Sequence, residues 1–422
     1  MKKIYTSIDI GSDTVKVLVC ELYKGKMNVL ASSTVKSSGI KKGLIVDANE
    51  ASICIRKAIQ EVESMLGIKV HKVLASVPSY GADFSVGTAF IDLRKDENME
   101  GIPTVMGKDV LNVLQNVGYN KIPEDRELVN ILPIEFYLDD IDHPVKDPKG
   151  KRCKKLGVKT VVVTTPKINV HSVVSLLTAM GLDVKDITFN SIGDYYEFKD
   201  DKIDDSISAV INIGSDNTTV SLFIKGILAK TSIINVGGKN IDNDIKYIFK
   251  VDLLEARKLK ETFAIAHKRY ASSNEITELS NINGEMIKIN QYEISEVVME
   301  RVLEILKFAK KELKVLTNKE ISYIIITGGV SEMFGFKAAV DEVFGPGIAP
   351  VSLKTLGIRK NQFSSCSGMI KFFDEKVDLR GKPNYSMVSQ SDEDDLISNK
   401  KKITNFSNRS ILGKVFGYFF DN

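Results

Sequence analysis

The chain has 422 residues, too many for one ordinary hydrophobic core and enough for two to four compact units. Its 58 Lys and Arg against 55 Asp and Glu leave a net charge of +3 with the signs interspersed, which excludes a basic footprint for nucleic acid. Cys20, Cys54, Cys153 and Cys366 lie far apart, with neither metal-ligand spacing nor a disulfide framework, so a reducing, cytosolic setting is expected. The start, MKKIYTSIDIGS, lacks the apolar stretch of a secretory signal, and no apolar run reaches the roughly 18 residues that cross a bilayer.

The first elements make a hairpin: Tyr5 to Ile10 reads as a strand, Gly11 and Ser12 as a tight turn, and Thr14 to Val19 as the β-rich return. Glycine at such a turn lets backbone N–H groups approach an anion where a Cβ would obstruct them. Asp9 ends the inner strand, and a carboxylate beside a polyphosphate serves a hard cation, here through water. After a second strand pair, Asn49 to Leu66 places Ile53, Ile55, Ala58, Ile59, Val62 and Leu66 at helical spacing. Val70 to Val77 has a buried-strand pattern stopped by Pro78. The texture then changes up to about Thr165 and reads as an inserted α+β unit. Its strands fall near Ser85 to Leu93, Leu128 to Leu138 and Gly157 to Thr164, with a helix from Gly107 to Val117. The basic turn KDPKGKRCKK between the last two strands reads as a solvated hairpin tip. A helix from Ile168 to Met180 and a strand from Val184 to Phe189 close the first half near Tyr196.

The second half opens on AVINIGSDNTTVSLF, which repeats the first hairpin: Ile211 to Ile213, the turn Gly214, Ser215, Asp216 and Asn217, then Thr218 to Ile224. Two such hairpins predict two homologous halves. Asn212 stands at the strand end that Asp9 occupies in the first half. Residues 291 to 316 set Ile294, Val298, Val302, Ile305, Leu306, Ala309, Leu313 and Leu316 on one stripe of a long amphipathic helix. The strand Tyr323 to Thr327 delivers a third glycine turn, Gly328, Gly329 and Val330, at its carboxyl end, where ligands of open α/β sheets bind; a short helix over 336–344 follows. From Leu379 to Phe406 the composition is polar and blocky in charge, as in a flexible tether. Beyond it, Ile411, Leu412, Val415, Phe416 and Phe419 fall on one helical face, with Arg409 and Lys414 off it, which predicts a membrane-targeting helix that folds on contact. Phe420 extends that surface, and Lys400, Lys401 and Lys402 upstream suit anionic headgroups.

These motifs in this order resemble the actin, Hsp70 and sugar-kinase superfamily, and over essentially its whole length the chain is similar to the FtsA family of bacterial division proteins. The segments that carry the resemblance are SIDIGSDTVKVLV, SSGIKKGLIVDANEASICIRKAI, the inserted unit and the tethered amphipathic terminus. The resemblance implies an α/β, actin-like (ribonuclease H-like) two-lobed fold. Residues 1–83, 166–198 and 362–380 would form the first lobe, and 84–165 the inserted subdomain. Residues 199–238 and 321–361 would form the second lobe, 239–320 a helical subdomain, 381–406 a linker and 407–422 the membrane helix. By the same resemblance Gly11, Ser12, Asp13, Thr14 and Lys16 look like the first phosphate loop, with Asp9 and, through water, Asn212 on the Mg²⁺ side of ATP. Gly214, Ser215, Asp216 and Asn217 resemble the second phosphate loop; Gly237 and Gly238, with Asp242, resemble the segment that closes on the terminal phosphate; Gly328, Gly329 and Val330 resemble the adenosine turn. In ARKLKETFA, Lys260 fits the family's lysine, while Arg257 stands where an acid is expected.

A second departure bears on chemistry. Asn212 and the GSDNT loop replace the superfamily's usual aspartate and GGGT-like loop, and an amide cannot act as a carboxylate toward Mg²⁺ or water. ATP is therefore expected as a structural ligand turned over slowly or not at all, with Asp216 the remaining acid. The resemblance further implies self-assembly into filaments and docking of the tail of the tubulin-like protein FtsZ on 239–320, where Lys258, Lys260, Lys268 and Arg269 offer a basic surface. Other division proteins are expected as partners, at the cytoplasmic face of the membrane. The alternatives are a small-molecule kinase, for which His71, His143, His171 and His267 lie outside the phosphate motifs, and a pilus-assembly relative, which generally lacks a tethered terminal helix.

Overall fold

The computed structural model describes residues 2–94, 101–118, 122–140, 144–346, 358, 361–389, 391–393 and 396. Two sheets are built on one plan. In the first, the strand order is Asp183–Phe189, Lys72–Val77, Lys3–Ile10, Thr14–Tyr23, Lys26–Lys36. Lys3–Ile10 pairs antiparallel with Thr14–Tyr23 and parallel with Lys72–Val77. In the second, Ile207–Ile213 pairs antiparallel with Thr218–Ile224 and parallel with Tyr323–Thr327, and Ile227–Ile234 lies at the edge. Each lobe thus holds a glycine hairpin whose inner strand also has a parallel neighbour, so the repeat read from the turns is present in the topology.

Lys3–Ile10 is buried on both faces because helices cover both, as expected for a sheet with crossover connections. Ile4, Ile8 and Ile10 pack with Ile55, Ala58 and Val62 of the helix Ala48–Leu66, while Tyr5 and Leu18 pack with Met369, Ile370 and Phe373 of the helix Ser364–Leu379. The helix Ala48–Leu66 begins where the Asp47 side chain accepts from the N–H groups of Asn49 and Glu50, and ends at Gly67 with φ 73°. Ile53 is 70% exposed, against the expectation that it joins the apolar stripe. The buried stripe runs through Ala51, Cys54, Ile55, Ala58, Ile59, Val62 and Leu66, and two residues from Ile55 lies the opposite side of a 3.6-residue turn. The long helix Gln291–Leu316 fits its predicted bounds and buries Ile294, Val298, Val302, Ile305, Leu306, Ala309 and Leu313.

The inserted unit is an antiparallel sheet, Asp83–Asp92, Lys155–Pro166, Arg126–Leu138 and Pro144–Val145, backed by the helix Gly107–Gly118. Its basic turn is more than a solvated tip. Cys153 is fully buried with Val105 and Leu156, Arg152 bridges to Thr104, and the Lys149 ammonium donates to the Asp378 carbonyl at 2.7 Å. The tether, expected to be flexible from 381, is docked at its start. The Met387 N–H donates to the Ile4 carbonyl at 2.9 Å, Tyr385 stacks on Tyr5, and Met387 is buried. Bonds from the Ile4 N–H to the Ser386 hydroxyl and from the Tyr5 hydroxyl to the Tyr385 carbonyl add two more, so the segment is seated although its composition is mostly polar. Residues Ile411 to Phe420, expected to form a membrane-targeting helix, and the lysines 400–402 lie outside the described residues, and among the described residues no helix is long and apolar enough to cross a membrane.

Candidate functional site

The two glycine hairpins close identically. The Gly11 N–H donates to the Thr14 carbonyl at 3.2 Å and the Gly214 N–H to the Asn217 carbonyl at 2.9 Å, leaving Ser12-Asp13 and Ser215-Asp216 as two-residue turns. Both turns face one cleft, as contacts across it show. The Lys42 N–H donates to Asp216 at 3.0 Å and the Asn217 amide to the Tyr80 hydroxyl at 3.0 Å, while on the first-lobe side the Gly43 N–H donates to the Ser12 hydroxyl at 2.7 Å. The remaining second-lobe candidates gather around the second loop. The Gly238 N–H donates to the Gly214 carbonyl at 2.8 Å, and a Cβ on Gly237 would lie 2.5 Å from the Ser215 carbonyl oxygen. Gly328 has φ 99°, and a Cβ there would meet the Ile213 carbonyl oxygen at 2.3 Å, so this turn too accepts only glycine. Val330 is buried beside Gly238, whereas Gly329 faces open space. Lys260 donates to the Gly238 carbonyl at 3.2 Å and pairs with Asp242 at 2.6 Å. Burial raises the Asp242 pKa, and Lys260 opposes that rise.

On the first-lobe side, Asp9 is 3% exposed. One carboxylate oxygen accepts from Lys16 at 2.8 Å; the other accepts from Ser76 at 3.2 Å and from the Asn190 amide at 2.8 Å. Burial pulls the Lys16 pKa down, but Asp9 outweighs it and the net shift is upward, so the ammonium stays charged beside the loop. Asn212 donates its amide to Asp194 at 2.6 Å.

Three groups at this site escaped the sequence reading. Asn190 opens the helix Asn190–Phe198 at the carboxyl end of its strand, and its amide oxygen is buried with no protein partner. Asp194, on the same helix, is fully buried, and its carboxylate accepts from Asn212, Ser364 and Ser365. Burial pushes its pKa up to about 6 despite those hydrogen bonds. Ser364 and Ser365 open the helix that crosses Asn190–Phe198. The usable signal was an Asn directly after a strand and a run of small residues, SSCSG, at a helix start.

The expected basic surface on the helical subdomain does not assemble. Lys260 is turned inward on Asp242, Lys258 pairs with Glu255, Lys268 pairs with Glu296, and Arg269 reaches the Tyr270 hydroxyl. Arg257 is likewise committed: two guanidinium nitrogens bind both carboxylate oxygens of Asp13, one of them at 2.7 Å, and Nε donates to Glu261 at 2.8 Å. Of the described histidines, His171 sits beside Glu127 and His267 beside Glu342, away from the loops.

The residues fit a Mg²⁺-nucleotide: glycine turns from two lobes converge, a lysine and a carboxylate stand at the first, and a buried amide oxygen on Asn190 awaits a donor.

The family described as Cell division protein FtsA matches residues 209–368, and the family described as SHS2 domain inserted in FTSA matches residues 90–164. The chain belongs to the FtsA family. It is 28% identical over 384 residues to the cell division protein FtsA of Bacillus subtilis strain 168, spanning 90% of this chain and 86% of that one. To FtsA of Enterococcus hirae it is 27% identical over 378 residues, 87% of this chain and 83% of that one. Among solved structures, the PilM-PilN type IV pilus biogenesis complex superposes with a TM-score of 0.56 at 14% identity, over 87% of this chain and 98% of that chain. MreB5 of Spiroplasma citri bound to ADP gives 0.53 at 13% identity, over 91% and 99%. These likenesses show the actin-like fold. An FtsA-family chain with that fold and a matched SHS2 insertion is an actin-like cell-division protein.

Proposed function

We propose that this FtsA-family protein binds ATP with Mg²⁺ between its lobes and, in that state, polymerises on the cytoplasmic face of the membrane, where it tethers FtsZ at the division site. The observation that carries the nucleotide reading is the convergence of two hairpins of identical register on one cleft, with Lys16 on Asp9 beneath the first. Gly11, Ser12, Asp13 and Thr14 would hold phosphate from one side and Gly214 to Asn217 with Gly237 and Gly238 from the other. Asp9 and Asn190 would meet the metal's waters, and Lys260, Gly328, Gly329 and Val330 would line the nucleoside side. Bound Mg²⁺ supplies charge neutralisation of the phosphates. Asn212 and Asp194 hold each other, which supports ATP as a structural ligand with slow or absent hydrolysis.

For FtsZ, a groove of about 570 Å³ between the helices Gly238–Phe249 and Gln291–Leu316 replaces the basic patch as the docking surface within 239–320. Tyr247, 85% exposed, and Ile248 and Val297 offer apolar contact; the rim is mostly acidic, with Asp244, Glu296, Glu300 and Glu304 beside Lys307 and an Arg301 that pairs with Asp244 and Glu304. The anchor is the segment around Ile411, Leu412, Lys414, Val415, Phe416, Phe419 and Phe420.

Vesicle co-sedimentation with ATP tests the reading. The full chain is expected to pellet with anionic vesicles, steeply in protein concentration, and a chain ending at Phe406 to remain in the supernatant. Equal pelleting of the two would overturn the anchor.

A further inference from the structure

Arg257 and Asp13 are separated by 244 residues and belong to opposite sides of the cleft. Asp13 is a turn residue of the first glycine hairpin; Arg257 lies on the helix Leu253–Thr262, three residues before Lys260, so both cations share that helix's cleft-facing side. The guanidinium grips both oxygens of Asp13 in a fork, and Glu261, one turn further on, fixes its Nε. Both side chains of the pair remain 28% exposed, which places the bond at the solvent edge of the cleft, where it can open and re-form. A second set of contacts spans the cleft from Lys42 and Tyr80. The Lys42 backbone N–H meets Asp216, its ammonium meets Asn235 at 3.0 Å, and Tyr80 meets Asn217. Asp13, Asp216 and Asn217 are thus joined to protein groups on the opposite side of the cleft.

We propose that the Arg257–Asp13 pair is a clasp that holds the cleft shut on its own and sets how fast nucleotide leaves. A guanidinium at position 257 supplies what a carboxylate there would forbid, since two acids facing each other at 13 and 257 would push the lobes apart. The clasp's effect on nucleotide release rests on ATP occupying this cleft; its effect on lobe closure does not.

The test uses the full chain carrying spin labels at Lys57→Cys on the first lobe and Glu278→Cys on the helical subdomain that carries Arg257, both exposed, the four native cysteines being buried. Interlobe distances are read by pulsed dipolar spectroscopy without nucleotide. Asp13→Asn and Arg257→Gln are each expected to shift the distribution to longer distances, and the charge reversal Asp13→Arg with Arg257→Asp to return it. Single variants that match the parent distribution overturn the clasp. Release of fluorescent ATP is expected to quicken about fivefold or more in each single variant and to recover in the reversal. Unchanged release in variants whose lobes have parted overturns the gating role. A parent protein that retains no fluorescent ATP overturns the nucleotide reading of the cleft and leaves the clasp to the distance measurement.

Discussion

Asn212→Asp restores the residue type that the superfamily usually carries, and the structure predicts an acid-base penalty in place of a gain in activity. In the parent protein the Asn212 amide donates to Asp194 at 2.6 Å, and Asp194 already titrates near 6 because it is buried. The substitution replaces that donor with a second carboxylate. Two charges about 4 Å apart repel by roughly 4 kcal/mol at an effective dielectric of about 20. Protonating a group of pKa about 6 at pH 8 costs about 3 kcal/mol, and at pH 6 only a few tenths. Taking up a proton is the cheaper course, so the pair in the variant shares one proton across neutral pH. The sign follows from linkage. A folded-state pKa raised above the unfolded value gives stability that is present at low pH and lost as pH rises through the folded value. Asn212→Asp should therefore lose about 3 kcal/mol at pH 8, and most of that loss should vanish at pH 6. Urea unfolding midpoints at the two pH values measure it, and the double change Asp194→Asn with Asn212→Asp should recover the midpoint at pH 8 by exchanging donor and acceptor. A single variant with the parent's midpoint at pH 8, or with the same loss at both pH values, would refute the reasoning. Phosphate release should stay slow in the parent and in the single variant; brisk release by the parent would sink the structural-ligand proposal.

The remaining predictions concern packing and docking. Gly328→Ala forces a side chain onto a left-handed backbone and into the Ile213 carbonyl oxygen, so a loss of about 1–3 kcal/mol is expected, together with weaker ATP binding by calorimetry; a normal thermal midpoint would contradict the close approach. Tyr247→Ser removes the exposed aromatic of the groove between Gly238–Phe249 and Gln291–Leu316 and should weaken binding of an FtsZ tail peptide about tenfold or more while leaving vesicle pelleting intact. Unaltered peptide affinity would move the docking surface elsewhere.

What the sequence made legible was local. The hairpin turns, the glycines that touch a neighbouring backbone, and the long helix all depend on residues within a few positions of one another, and the pattern of apolar and glycine residues records them directly. The missed groups depend on the fold as a whole. Asp194 is met by Asn212, Ser364 and Ser365, 18 to 171 positions away, and no local pattern marks a carboxylate that will be buried. The expected basic surface failed for the same reason: counting lysines does not show that Lys260 turns inward to Asp242 while Lys258 and Lys268 find their own acids. Ile53 was apolar and near the right spacing, yet the stripe passes it by.

The missed groups also share a place, and this bears on how any variant there is read. The helices Asn190–Phe198 and Ser364–Leu379 cross at Gly193 and Gly368, where a Cβ on Gly368 would lie 1.7 Å from the Gly193 carbonyl oxygen. Only bare backbone permits that approach, so the crossing has almost no freedom to slide. Asp194 follows Gly193, and Asn190 precedes Gly193 by three residues on the same helix, while Ser364 and Ser365 begin the partner helix and Asn212 is the penultimate residue of a strand of the second lobe. The carboxylate that titrates near 6 therefore sits where the lobes are joined, and its protons are coupled to the packing of the crossing. Changing Asn212 alters a hydrogen bond between lobes as well as the chemistry at the end of the second hairpin's inner strand. The pH dependence of stability separates the two: a purely chemical role for Asn212 leaves the unfolding midpoints untouched, whereas a joint role moves them in the direction worked out above.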